Sequence, residues 1–539
     1  MSLIFQAAAP RVPTDPQRAD VACFIGQVGR RSGRPLPEAL RAQLDAAGWL
    51  RGLWARPTEQ IEALMDLPVL VDSWHVFDRY YAWDERPLRD DAGRSGRCAT
   101  LLGAAVRAFF ARGGRRAIIV RTGDPWPCLE DPARRRARRD ERLAALLPDP
   151  QRSPATDPSS WHGIAHLHAL PEVSLLLLPD LVELHAEPPQ WQDPPPAAVI
   201  EPRGFAPCDP EPAQTADPVT RSLTAPRLDD SGLQAWRDSL GRATGFLASA
   251  GQRRALLVTS LPLPAPVAGP AGTAAQLDPL AWLLSHGVLQ AEPQDRVSTS
   301  IPATLTGAEE DGRRPLGAFV QLGWPWLRSH LSNDLPGGFE PPEGTLAGLI
   351  ASTAVQHGSF RSAAGERSLP WLRDLSGAEP DPRHAAGQAR ARALARRVCL
   401  IGPGPAGWEL HSDVSAASDP AWRQAGACRL IGGILREART RGEGLLFEPG
   451  GPRLWQQLRR SVEELLEGYW RAGALGGATP DEAYSVRCDR STMSQNDLDA
   501  GRLIVLIGVR PAASIEQITV VLNLVAAAGS ASSLRAEAA

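Results

Sequence analysis

Three histidines stand close together in the stretch WHGIAHLHAL: His162, His166 and His168. Imidazole is the commonest metal ligand and the usual proton carrier near neutral pH, so their spacing is the first chemical question. Residues four apart share a helix face, which sets His162 beside His166 and leaves His168 off that face. No glutamate stands between the pair as the H-E-x-x-H arrangement requires, so surface or partly buried histidines compete with a metal site. A metal-dependent α/β enzyme stays open as an alternative on these residues.

Other enzyme-like patterns are weaker. GPGPAG, from Gly402 to Gly407, follows an apolar strand as a dinucleotide loop would, but its two prolines and the lack of a following helix make a plain turn the better reading. The acidic run from Asp489 to Asp499 lacks the spacing and closing glutamate of a calcium loop, which leaves turn and capping roles. There is no Gly-x-Ser-x-Gly elbow for a serine hydrolase. Every one of the 58 basic residues is arginine, so a Walker phosphate loop and Schiff-base chemistry are excluded outright. The expectation is a protein that is not an enzyme, with no cofactor and no metal.

The elements that would position any such residues belong to a long chain. At 539 residues it exceeds a single hydrophobic core and calls for two to four folding units. With 43% hydrophobic and 22% charged residues and no apolar run of membrane-span length, a soluble globular chain is expected, without direct membrane insertion. MSLIFQAAAPRVP lacks the features of a secretory signal, so assembly in the cytoplasm is expected. A net charge of -3 gives no sign of a nucleic-acid partner. The one basic cluster, from Arg134 to Arg139 in DPARRRARRDERLAALL, reads as a solvated face ahead of a helical pattern. Seven scattered cysteines without C-x-x-C spacing read as reduced core thiols.

Along the chain, helical and strand-like patterns alternate, which favours an α/β or mixed α+β fold. Residues 1 to about 20 read as an arm, followed by an apolar strand from Val21 to Val28. Helical patterns run from Glu38 to Trp49, near Thr58 to Leu64, from Thr100 to Arg112 and from Leu233 to Ser249, with strands at AIIVR, LLLL and ALLVTSL. Three Pro-rich excursions interrupt this rhythm, within 147–160, 186–225 and 263–272. The grammar changes near residue 400. The expected organisation is an arm with a linking strand (1–30), a middle or outer part (31–399) and a C-terminal part (400–539).

Two C-terminal segments carry mechanical rather than chemical patterns. Ile518, Thr519, Val520, Val521, Leu522, Asn523, Leu524 and Val525 form a strand with no charge, proline or glycine, and Ile518, Val520, Leu522 and Leu524 make one wholly apolar face. Left free it would aggregate, so it pairs either within its own domain or with another chain. From Arg453 to Ala472, the residues Leu454, Leu458, Val462, Leu465, Tyr469 and Ala472 line a helical core stripe, with Arg459–Glu463, Arg460–Glu464 and Glu467–Arg471 as four-apart pairs. The charged face is either simply solvated or a contact surface.

The block FEPGGPRLWQQLRRSVEELLEGYWRAGALGGATPDEAYSVRCD, from Phe447 to Asp489, resembles phage tail sheath proteins. It has a Phe-Glu-Pro loop, an amphipathic helix, a Gly-Ala-Leu-x-Gly turn and an Ala-Tyr-x-Val-x-Cys-Asp strand. GRLIVLIGVRPAASIEQITVVLNLV continues the likeness. VACFIGQVGR, GGRRAIIVR, LLLPDLVEL and EPPEGTLAGLIASTAVQHGSFRSAAG match more loosely but in order. Ser514-Ile515-Glu516-Gln517 departs from the family's Pro-Ala-Glu-Phe, and a tail follows the last strand.

The resemblance implies a multi-domain sheath fold, with an inner domain built from the N-terminal arm plus the C-terminal region and a larger outer domain inserted between. It implies a structural subunit of a contractile injection system that stacks with itself in a helix of hexameric rings around an inner tube protein, with baseplate and tail-terminator proteins as further partners. The particle would be released or membrane-anchored. Val21, Ala22, Cys23, Phe24 and Ile25 at one end, and Ile518 to Val525 at the other, would be strands lent to neighbouring copies; Arg453, Arg459 and Arg460 would touch an acidic inner tube. A non-contracting baseplate or tail-terminator component is the alternative.

Overall fold

The computed structural model describes residues 19–31, 33, 35–52, 54–89, 96–192, 222–249, 252–268, 274–275, 277–289, 316–365, 369–376, 391, 394–404, 407–417, 419–445, 451–499, 501–512, 522–523 and 535–536. The helices and strands of this part fall close to where hydrophobic spacing puts them. In chain order the first are β1 (Val21–Gln27), β2 (Val69–Val71) and α1 (Leu101–Ala111). The Thr100 hydroxyl caps α1 by accepting from the Gly103 N–H at 3.1 Å. β3 (Arg116–Gly123) and α2 (Pro132–Leu146) come next. Asp131 caps α2 by accepting from the N–H groups of Ala133 and Arg134, and Pro132 supplies a preset first turn. The arginine cluster therefore lies within a helix, and Arg135 is buried rather than solvated.

There follow β4 (Leu175–Leu177), α3 (Leu181–His185), α4 (Asp230–Ala248), β5 (Leu256–Ser260), β6 (Val320–Trp324) and β7 (Trp326–Ser329). Then come α5 (Glu343–His357), β8 (Leu372–Ser376), β9 (Cys399–Gly404) and β10 (Gly407–Leu410). An eight-stranded sheet runs in the order β10-β9-β6-β5-β4-β1-β3-β2. From β9 to β3 every pairing is parallel, and the edge strands β10 and β2 are antiparallel. The chain steps from β1 to β3 on one side and then returns past β1 to β4, so this is a doubly wound sheet.

Such a sheet must be covered on both faces, and two apolar clusters do so. Val21, Cys23 and Ile25 of β1 face one with Leu143, Leu181, Trp236 and Leu240; Ala22 and Phe24 face the other with Leu102, Phe109, Leu346 and Ile350.

Two expectations change here. Val21 to Ile25 were expected to link copies, yet β1 is paired along both edges, Val21 to Arg116 on one side and Ala22 to Leu175 on the other, and all its residues are buried. A strand with no free edge in the middle of its own sheet cannot be lent, so the linking role is withdrawn from it. The arm before it, residues 1–18, lies outside the described residues. The change near residue 400 also moves: β9 and β10 still belong to the large sheet, and a separate apolar cluster begins only at Leu430.

Candidate assembly interface

The C-terminal body is built from α6 (Ala425–Glu443), α7 (Pro452–Arg471), β11 (Tyr484–Arg487) and β12 (Leu506–Val509). Leu458, Val462 and Leu466 of α7 meet Leu430 and Ile434 of α6. Leu465 is also buried, while Leu454 and Tyr469 are half-buried and Ala472, just past the helix end, is exposed. The core stripe is thus the expected one with Leu466 added and Ala472 removed.

β11 and β12 pair antiparallel, Tyr484 with Val509 and Arg487 with Leu506, as a sheet of two strands. Alternation does the rest: Tyr484, Val486, Ile507 and Val509 pack against the helices, while Ser485, Arg487, Leu506 and Gly508 face outward. Among the described residues no other strand pairs with either outer edge of this ladder. An unpaired strand edge is a row of free donors and acceptors, which natural proteins cover unless another chain is meant to. Leu506, 46% exposed, adds an apolar contact beside one such edge.

A buried clasp fixes this body to the sheet. Arg429 of α6 meets Asp413 through two charge-assisted bonds, at 2.6 and 2.9 Å. Asp413 also accepts from the Gln321 side chain on β6 and from the Ala363 N–H, both at 2.8 Å, and Arg429 donates to the Ser359 and Arg361 carbonyls at 3.0 Å. Burial alone would raise the Asp413 pKa, but the Arg429 charge and these bonds pull it below the ordinary carboxylate value. A second clasp joins Arg86 to Glu183 at 3.0 and 2.5 Å, with Arg135 bonded to the Glu183 carbonyl at 2.9 Å. Sequence reasoning passed over both. The only signal was an arginine set among small and apolar residues, as in GACRLIGGIL.

On α7 the three singled-out arginines Arg453, Arg459 and Arg460 are all exposed. Arg459 pairs with Glu463 at 3.0 Å and Arg471 with Glu467 at 2.5 Å, as the four-apart spacing required. Among the described residues Arg453 and Arg460 form no ion pair, so the Arg460–Glu464 pair is not made. The Phe447–Pro449 loop lies outside the described residues. So does the strand from Ile518 to Val525 apart from Leu522 and Asn523, which pair antiparallel with Ala536 and Arg535.

The histidines do not converge. His162 Nδ1 meets Asp66 Oδ2 at 3.1 Å, and His168 Nδ1 meets Gln252 at 2.9 Å. His166 is fully buried with its ring 5.4 Å from that of Trp49; burial drives its pKa down to about 3 and keeps it neutral. Among the described residues no group of three or more His, Cys, Asp or Glu is placed to hold a metal ion. Gly404 and Gly407 pair across a hairpin turn, and the acidic loop caps itself: Asp489 accepts from Ser491 N–H at 2.7 Å, and Asp497 from Ser494 N–H at 3.0 Å.

Residues 417–524 match the phage tail sheath C-terminal domain family. The likeness to that C-terminal domain family is confined to this stretch. The matched stretch holds the clasp helix, α7 and the open two-stranded sheet. No curated protein matches the chain. In fold the chain aligns with a chain in the cryo-EM structure of the six-fold symmetrised anti-feeding prophage baseplate, at 16% identity and TM-score 0.53, over 98% of this chain and 99% of that one. It aligns equally with a chain of the anti-feeding prophage baseplate in its contracted state, at 18% identity and TM-score 0.54, over 97% and 96%. A chain of an extracellular contractile injection system, the PVC sheath complex in its contracted state, gives 15% identity and TM-score 0.49, over 96% and 95%. Among the described residues no helix is long and apolar enough to cross a membrane.

Proposed function

We propose that the chain is a sheath subunit of a contractile injection system, assembling with itself into a helical sleeve around an inner tube and shortening to drive that tube forward. The observation that carries this reading is the two-stranded sheet of β11 and β12, with one face on the helices and, among the described residues, no further strand on either outer edge, within the matched stretch. Such an edge accepts a strand from another copy through main-chain hydrogen bonds, with side-chain alternation giving register. Ile518 to Val525 have the composition of a donor strand. A head-to-tail contact whose rotation does not close grows into an open helix. Strand links let compact bodies change angle without separating, so a trapped extended lattice releases energy as its interfaces switch together.

Arg453 and Arg460, exposed and without an ion pair among the described residues, suit contact with an acidic inner tube, Arg459 lying between them. The role is structural, with no catalytic step. A baseplate component is the second reading, favoured by the fold shared with chains of two anti-feeding prophage baseplate structures. Negative-stain microscopy of the purified full-length chain separates the two: the sheath reading expects long striated tubules, and the baseplate reading expects small closed rings. Deleting the chain from Ile518 onward is expected to leave a folded subunit that forms no tubules. Normal tubules from that truncation would refute strand lending.

A further inference from the structure

Several arginines gather at one corner of the large-sheet body. Arg112 follows α1 and is only 7% exposed, yet its Nε, Nη1 and Nη2 all lack a hydrogen-bond partner. Its guanidinium lies over the Trp371 ring, 4.6 Å from the centroid, and Trp371 is itself 46% exposed. His330, at the end of β7, sets its ring 6.4 Å from that of Trp371. Arg328 pairs with Asp374 and Ser329 with Leu372 across β7 and β8, so Arg373 is the extra residue of a bulge, a device that re-aims a side chain. Arg107, five residues before Arg112, lies over Trp83 at 5.4 Å and Trp74 at 5.8 Å.

These cations share one neighbourhood. Burial, then the charges of Arg107, Arg112 and Arg373, hold the His330 pKa below its ordinary value. Among the described residues none of the three arginines forms an ion pair. Of the acids nearby, Asp374 accepts from the Leu375 N–H at 2.9 Å. Glu340 accepts from the Ser329 hydroxyl at 3.0 Å and its Oε2 has no hydrogen-bond partner; burial raises its pKa to about 7, and its charge offsets part of that on Arg112 without a hydrogen bond between them. A buried cation without a partner is costly to a fold.

We propose that this corner is a docking site for an acidic protein segment, whose carboxylates pair with Arg107 and Arg373 at the surface and with Arg112 once Trp371 swings aside. Planar guanidinium groups can meet a carboxylate through two bonds at a time. A patch this small, on a chain of net charge -3, is a poor match to a nucleic acid, which needs a long basic stripe.

The test is fluorescence anisotropy of a fluorescein-labelled octaglutamate peptide titrated with the purified full-length chain at low salt. Saturable binding is expected. Arg373→Gln should weaken it roughly tenfold, the worth of one charge-assisted bond, with melting temperature unchanged. Arg112→Met should abolish binding while raising the melting temperature, because it removes an unpaired buried charge. Equal binding by both variants, or capture of a single-stranded DNA oligonucleotide and not the peptide, would overturn the proposal. So would a lowered melting temperature in Arg112→Met, which would mean that the fold itself satisfies the guanidinium.

Discussion

Glu343 is enclosed beside the carboxyl end of β5, where its Oε2 accepts from the Ser260 hydroxyl at 3.0 Å and its Oε1 has no partner. Burial, offset in part by the Ser260 bond and reinforced by Asp180, raises its pKa from 4.5 to about 8. Asp180, which accepts from the Gln27 N–H at 2.5 Å, is pushed by burial to about 7. In both cases the folded chain keeps a proton that the unfolded chain has already lost. Their contribution is therefore whole below the unfolded values and is lost as pH rises through 7 to 8. Glu343→Gln keeps the shape and removes the charge. It should flatten the fall in stability toward alkaline pH and gain about 1–3 kcal/mol over the parent above that window, read from urea midpoints across pH. An unchanged pH profile would mean that this carboxyl ionises freely in the fold. Nothing in EPPEGTLAG marks the glutamate as buried, because burial of a charge depends on what the rest of the chain brings over it.

At the scale of elements, α7 divides its work between two faces. Leu458, Val462, Leu465 and Leu466 are buried, and Arg453, Arg459 and Arg460 stand in solvent. Reversing the unpaired charges, Arg453→Glu with Arg460→Glu, should leave thermal stability within about 0.5 kcal/mol, as for surface sites elsewhere, yet weaken assembly around an acidic tube. Co-sedimentation with the tube protein measures this; undiminished co-sedimentation would take the inner-tube role from these residues. The helix was legible in the sequence because a 3.6-residue stripe declares its own core side. β1 shows where that legibility stops. Its apolar run suits a buried strand and a lent strand equally, and only the neighbours β3 and β4, contributed from far along the chain, decide between them. The Asp413–Arg429 clasp was invisible for the same reason: it joins residues from a loop, a strand and a helix that meet only in the folded chain.

Among the described residues the molecule joins a doubly wound sheet, covered on both faces and bordered by antiparallel edge strands, to a small body whose own sheet has two strands. Among the described residues an unpaired side belongs to the edge strands alone in the large sheet and to both strands in the small one. That asymmetry is what a polymer of rigid bodies on flexible links requires, since the body must not deform while the link must be shared. On the proposed sheath reading, energy for shortening belongs to the contacts between copies.

A cryo-EM map of the assembled protein tests this most directly, read at the outer edges of Tyr484–Arg487 and Leu506–Val509. A strand from another copy, with Ile518 to Val525 traced into a neighbour's sheet, is the predicted result. Bare edges in the assembly, with that segment folded back on its own subunit, would contradict it.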